Sequence, residues 1–126
     1  MTHERFVVHI VDPDKAIAEG LATLLSTYGI DVQCYPDAES FLRSWPLRRP
    51  CRCCLLAEAE LPGLSGPALL RKLRAQQIDI PVLLLVSTSS PELIEVARSS
   101  SQVGVVEKPC VNHALIEQVL SISQRA

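Results

Sequence analysis

Residues 55–66 read LLAEAELPGLSG, and this stretch decides the fold. The apolar run that leads through it, from Cys53 to Ala57, is typical of a short strand that is buried on both faces. The run stops at Glu58, and the Pro-Gly and Ser-Gly pairs that follow are turn signals. A helical spacing of leucines then begins at Leu69. Open parallel sheets place their functional sites at the carboxyl ends of strands, so Glu58 is the residue to explain.

The same alternation of strand and helix runs along the whole chain. Further strands are predicted over residues 6–11, 31–35, 82–86 and 103–107. Helical patterns follow each strand: Ile17 to Tyr28 with Gly29 as the stop, a short helix capped by Asp37, residues 91–100, and a last helix after Asn112. Five strands alternating with five helices predict parallel strands, right-handed crossovers and helices on both faces. We expect a flavodoxin-like α/β three-layer sandwich with strand order 2-1-3-4-5.

Length and composition limit the possible classes of protein. At 126 residues the chain is predicted to form a single domain over residues 1–126, with its core between 5 and 123. A net charge of −2 argues against a nucleic-acid or membrane surface. No apolar run approaches the roughly 18 residues of a membrane span. The first five residues have no signal-peptide character, so we expect a cytoplasmic protein.

The cysteines and the mid-strand histidine are interpreted as structural. The five cysteines are not accompanied by a histidine or second cysteine pair at metal-ligand spacing, so we expect small buried apolar side chains in a reducing compartment. Cys53 and Cys54, on one strand, must point to opposite faces. His9 is expected to be a hydrogen-bonded core residue.

Four short segments stand out along the predicted strands and at their ends. They are Val11-Asp12, the stretch from Glu58 to Gly63, Pro81 to Val86, and Lys108-Pro109. In this order they resemble the segments in which a response-regulator receiver domain carries its phosphoacceptor machinery. The resemblance covers residues 5–123 and is strongest to the receivers that precede LuxR-type DNA-binding domains. The resemblance implies a CheY-like fold and a role in two-component phosphorelay signal transduction and transcription regulation.

The resemblance also implies a chemistry. In the family, an Asp at the end of the third strand accepts a phosphoryl group. Mg²⁺ is held by acidic residues after the first strand, by that Asp and by a backbone carbonyl two residues later. A Lys pairs with the phosphoryl oxygens. A Thr or Ser on the fourth strand and an aromatic residue on the fifth shift together to signal the modification.

Compared position by position, this sequence departs from the family at the acidic residues. Asp12 matches the first acidic position, but the second is Pro13, which has no side-chain oxygen. Asp14 lies one place too late for that role and is equally suited to cap the first helix. The phosphoacceptor position holds Glu58, and the carbonyl of Glu60 corresponds to the metal-ligating carbonyl.

Departures continue on the fourth and fifth strands. The hydroxyl position is Val86, with Ser87 adjacent, and the aromatic position is Val105. Lys108 is retained, and so is Pro109, whose preceding peptide bond is typically cis in receivers.

These changes all fall within one mechanism, so we predict a pseudo-receiver. It would not be an enzyme and would need no cofactor. Its partners would be proteins: a histidine kinase or regulatory partner, or a second copy bound through the fourth and fifth helices. Glu58 would be either a permanent anion in place of phosphoaspartate, paired with Lys108, or simply a structural partner for Lys108. Lys108 itself is expected to pair with Asp12 and Glu58.

Two alternatives differ in their chemistry. A working receiver would accept phosphate from a histidine kinase through Glu58, or weakly through Asp14, and would control a DNA-binding output domain. Its Mg²⁺ would be held weakly by Asp12, Glu58 and Glu60. A flavodoxin-like FMN binder is rejected, because residues 12–14 form an acidic turn that repels phosphate.

Overall fold

The computed structural model describes residues 6–44, 52–60, 66–86, 95, 103–107 and 113–125. The strands are β1 (Val7–Val11), β2 (Asp31–Tyr35), β3 (Cys53–Glu58), β4 (Val82–Val86) and β5 (Val103–Glu107). The helices that can be delimited in these residues are α1 (Lys15–Ser26), α2 (Ala38–Ser44), α3 (Gly66–Ala75) and α4 (His113–Arg125). The predicted helix over 91–100 lies outside the described residues, except for Glu95, which is helical.

All five strands form one parallel sheet in the order β2-β1-β3-β4-β5. This confirms the predicted topology. Two inner strands, β3 and β4, are buried along their whole length, as their continuous apolar sequences require. The order places the ends of β1 and β3 side by side, with Val11 opposite Ala57.

The sheet separates two hydrophobic cores. The α1-side core includes Leu21 and Leu25 of α1 and Leu115 of α4. The α2-side core includes Phe41 of α2 and Leu73 of α3. Cys54 belongs to the first core and its neighbour Cys53 to the second, which confirms that the two thiols point to opposite faces.

The apolar face of α1 agrees with the predicted helical pattern at Leu21 and Leu25, which are buried, and differs from it at both ends. The helix ends at Ser26, and Gly29 at φ 76 turns the chain towards β2. Ile17 and Tyr28, the two ends of the predicted helical pattern, are 41% and 47% exposed. Ala18, which is not one of the large apolar residues of that pattern, is buried.

Cys34 also contradicts the prediction of a buried thiol, since it is exposed. It lies on β2, which is the outermost strand and is only partly covered by α1. Its thiol lies 3.9 Å from the carbonyl oxygen of Ala18. Cys51 and Cys110 fall outside the described residues. Within the described part of the chain, no helix has the length and apolar character that crossing a membrane would require.

Candidate functional site

Two buried carboxylates lie at the ends of neighbouring strands. Val11 pairs with Ala57 in the sheet, and Asp12 and Glu58 each come one residue later. Asp12 is 4% exposed and Glu58 7%. Buried acidic side chains are rare in proteins unless hydrogen bonds or charges support them. This pair is therefore the candidate functional site.

Asp12 is fixed by hydrogen bonds on both sides of the β1–α1 turn. Its backbone N–H donates to the carbonyl oxygen of Tyr35 at 3.1 Å, which extends the contact between β1 and β2. Its carboxylate Oδ1 accepts the backbone N–H of Asp14 at 2.8 Å. Part of the accepting capacity of this carboxylate is thus used to shape the turn.

Asp14 acts as the N-cap of α1. Its Oδ1 accepts the backbone N–H groups of Ala16 at 3.0 Å and Ile17 at 3.2 Å. Of the two roles that the sequence left open for Asp14, the structure shows the capping role. The side chain of Asp14 is exposed, whereas that of Asp12 is buried.

Glu58 is the last residue of β3 and lies opposite Leu85 of β4. The next residue, Ala59, donates its N–H to the carbonyl oxygen of Leu85 at 2.8 Å, so the backbone remains ordered past the strand end. Glu60 is exposed. The strand therefore delivers the Glu58 side chain into the interior and the Glu60 side chain to solvent.

The two positions that would signal a modification carry valines with no hydrogen-bonding atoms. Val86 is 1% exposed and packs in the α2-side core. Val105 is partly buried and packs against the same core. Neither side chain can bond an anion at the strand ends.

Three predicted site residues lie outside the described residues: Ser87, Lys108 and Pro109. The predicted ion pair between Lys108 and Glu58 and the predicted cis bond before Pro109 therefore remain predictions.

The residues present do not fit a firm magnesium site. Mg²⁺ demands about six oxygen ligands in octahedral geometry. Here Pro13 offers no side-chain oxygen, and Asp12 already accepts a backbone N–H. Among the described residues, no group of three or more His, Cys, Asp or Glu side chains could hold a metal ion. We therefore derive no chemical step through a metal.

Beneath the site, His9 is a hydrogen-bonded core residue, as predicted. Its Nδ1 lies 3.0 Å from the hydroxyl oxygen of Tyr35. The rings of His9 and Tyr35 both lie 5.4 Å from that of Phe41, centroid to centroid. Burial lowers the pKa of His9 to about 4, so the ring is neutral at physiological pH.

Sequence reasoning missed the part played by Tyr35. This residue bonds His9 through its hydroxyl and Asp12 through its backbone carbonyl, so it connects the core to the candidate site. An aromatic residue at the last position of a strand, beside an acidic turn, is the signal that could have indicated it.

Comparisons with known proteins agree on one family. Residues 8–120 match the family model described as the response regulator receiver domain. The chain is 29% identical over 119 residues to the transcriptional regulatory protein FixJ of Bradyrhizobium diazoefficiens, covering 94% of this chain and 57% of that protein. It is 30% identical over 118 residues to the C4-dicarboxylate transport transcriptional regulatory protein DctR of Rhodobacter capsulatus, covering 92% and 59% respectively.

Solved structures give the same result. The crystal structure of FixJ-N superposes with a TM-score of 0.83 at 28% identity and covers 98% of each chain. Full-length FixJ from B. japonicum gives a TM-score of 0.81 at 26% identity, covering 98% of this chain and 60% of that one. The chain thus spans little more than half the length of these curated relatives.

Proposed function

Because the chain belongs to the response regulator receiver domain family, we propose that it serves two-component signalling through its surface, without regulated phosphorylation. The observation that carries this proposal is the buried Glu58 at the end of β3, where the family has its phosphoacceptor aspartate.

Physical chemistry supports a permanent anion at this position. The glutamate carboxylate stands one methylene further out than an aspartate carboxylate, by ~1.5 Å at most. It occupies space that a phosphoryl group would need, and it is present without any modification of the chain. The missing oxygen at Pro13 and the missing hydroxyl at Val86 remove two further parts of the phosphorylation machinery.

We place the domain in the cytoplasm, without enzymatic activity or a cofactor of its own, and we expect protein partners and no direct contact with nucleic acid or membrane. A histidine kinase, a regulatory protein or a second copy of the domain would recognise its surface. Relatives such as FixJ and DctR are transcriptional regulatory proteins, so we propose transcription as the process that is regulated.

A working receiver is the second candidate, and one observation favours it. Two carboxylates, Asp12 and Glu58, remain buried at adjacent strand ends. A weakly held Mg²⁺ and slow phosphoryl transfer to Glu58 would need this pair.

Intact-mass spectrometry after incubation with acetyl phosphate and Mg²⁺ separates the two candidates. We expect no phosphoryl mass increase in the wild-type domain. The matched controls are Glu58→Gln at the buried position and Glu60→Gln at the exposed one. A stoichiometric increase that persists in Glu60→Gln and disappears in Glu58→Gln would establish the working receiver and overturn our proposal.

A further inference from the structure

A pocket of about 300 Å³ opens between the start of α1 and the end of β2. Its lining includes Pro13, Ala18, Tyr35 and Pro36, and most of its surface is apolar. The hydroxyl of Tyr35 does not add a polar group to it, because this side chain packs against the α2-side core and is hydrogen-bonded to His9 there. Glu58 is not among the lining residues, so this pocket is distinct from the phosphoacceptor position.

The size and walls of the pocket suit a small apolar body. Ligand pockets range upward from roughly 300 Å³, and their walls are predominantly apolar with a few polar groups that fix orientation. A cavity of roughly 150 Å³ already holds a benzene ring, so one ring with a short chain fits in this space.

The charged groups around the pocket are mainly acidic. Asp12 and Lys15 complete the lining with Cys34. Burial raises the pKa of the Cys34 thiol, and the negative charge of Glu19 raises it further. A second carboxylate therefore lies near the part of the wall that Cys34 forms. The positive end of α1 is offset by the Asp14 carboxylate, which accepts two of its N–H groups. Asp12 in the lining and Glu19 beside it thus outnumber the single basic group, Lys15, and this acidic excess favours a cation.

We propose that this pocket binds a small organic cation, namely an amine with an apolar body of about one ring. The inference goes beyond the proposed function, because it does not depend on what Glu58 does. Asp12 belongs to both the pocket and the candidate site, so the bound amine would lie against the turn that organises that site.

Three probes of one shape test the charge. In a ¹H–¹⁵N NMR titration, phenethylamine should give saturable shifts at the amides of Lys15, Ala18 and Cys34. We expect it to bind about threefold more tightly than the neutral 2-phenylethanol and about tenfold more tightly than the anionic phenylacetate.

Three variants test the place and the charge. Cys34→Leu adds side-chain volume to the pocket wall and should weaken phenethylamine binding by about tenfold or more. Gln33→Leu is the matched control, since this exposed neighbour on β2 points to the other face and does not line the pocket. Glu19→Gln should weaken amine binding by about two- to fivefold and leave the alcohol unchanged.

Thermal melts establish that each variant is folded. The proposal is overturned if phenethylamine gives no saturable shifts at the lining residues. It is equally overturned if Cys34→Leu binds the amine as well as Gln33→Leu does, or if phenylacetate binds as tightly as the amine.

Discussion

At the scale of single residues, His9 is the buried titratable group whose surroundings are best defined. It is 6% exposed, is hydrogen-bonded to Tyr35 and contacts the ring of Phe41. In the unfolded chain its pKa returns to the ordinary value of 6.5, whereas burial lowers it to about 4 in the folded protein. Between these two values the unfolded state binds more protons than the folded state.

His9 therefore makes stability depend on pH in an acidic window. The stabilisation is fully present above pH 6.5 and is lost as the pH falls towards about 4. We expect His9 to contribute a fall of about 3 kcal/mol in the free energy of unfolding across this window. Urea denaturation at a series of pH values measures it. His9→Gln keeps a polar group near Tyr35 and should lack this component, so equal pH slopes in the two proteins would contradict the prediction.

The local sequence predicts some residue roles better than others. The caps at Asp14 and Asp37 follow from the residue type before each helix, and the structure shows both. The exposure of Cys34 does not follow from its own strand pattern, because it depends on how far α1 extends over the edge strand. The burial of Asp12 and Glu58 follows from strand register, which only the folded sheet fixes.

At the scale of elements, two glycines have opposite surroundings. Gly104 of β5 lies opposite Leu83 of β4. A Cβ atom there would lie 2.8 Å from Leu83 Cδ2 and 3.2 Å from Gln118 Oε1, which belongs to α4. In α1, a Cβ atom at Gly20 would have no atom within 4 Å. Gly104 therefore permits β4, β5 and α4 to pack closely, whereas Gly20 has no such role in packing.

Alanine substitutions at these glycines should therefore change stability in opposite directions. Gly104→Ala should lower the free energy of unfolding by about 1–3 kcal/mol, because Leu83 is buried and has little room to move. Gly20→Ala should raise it by up to about 1 kcal/mol, since alanine favours the exposed helix. Chemical denaturation compares both with the wild type. A neutral Gly104→Ala would show that β5 and α4 can separate without cost.

The strands could be predicted almost to the residue, whereas the buried face of α1 could be predicted only in part. Each predicted strand agrees within one residue, because its apolar run is bounded by turn or charged residues. Leu21 and Leu25 of the predicted helical pattern are buried, whereas Ile17 is exposed and Tyr28 lies beyond the end of α1 at Ser26. Ala18 is buried as well, because burial depends on how the helix lies against the sheet and not on the size of the side chain alone.

At the scale of the whole molecule, the valines at 86 and 105 bear on how a signal could spread. A ligand shifts an equilibrium only if it binds two states with different affinity. A buried Val86 that packs in the α2-side core has no atom with which to sense an anion. Val105 packs against the same core. We expect the surface around β5 to hold one conformation that is constantly available to a partner.

The triple variant Pro13→Asp, Glu58→Asp and Val86→Thr should restore metal binding and phosphorylation without full switching. NMR spectra with and without beryllofluoride should then differ near residues 11–15 and 57–60 and remain similar over 103–107 and 113–125. Adding Val105→Tyr gives the matched comparison, in which the shifts should spread into both of the latter ranges. Large shifts there in the triple variant alone would prove the aromatic residue dispensable.

The division into two cores has a consequence for biosynthesis. The α1-side core draws on residues from Phe6 to Ile122, whereas the α2-side core draws on residues from Val11 to Val103. A nascent chain leaves the ribosome from its N-terminus, so the second core can assemble before α4 emerges, while the first cannot. Until then the side chains of Leu21 and Leu25 lack their packing partners from α4. The apolar face that they form is then open to binding by chaperones and proteases. Translation that stops before α4 thus leaves a half-covered sheet as its product.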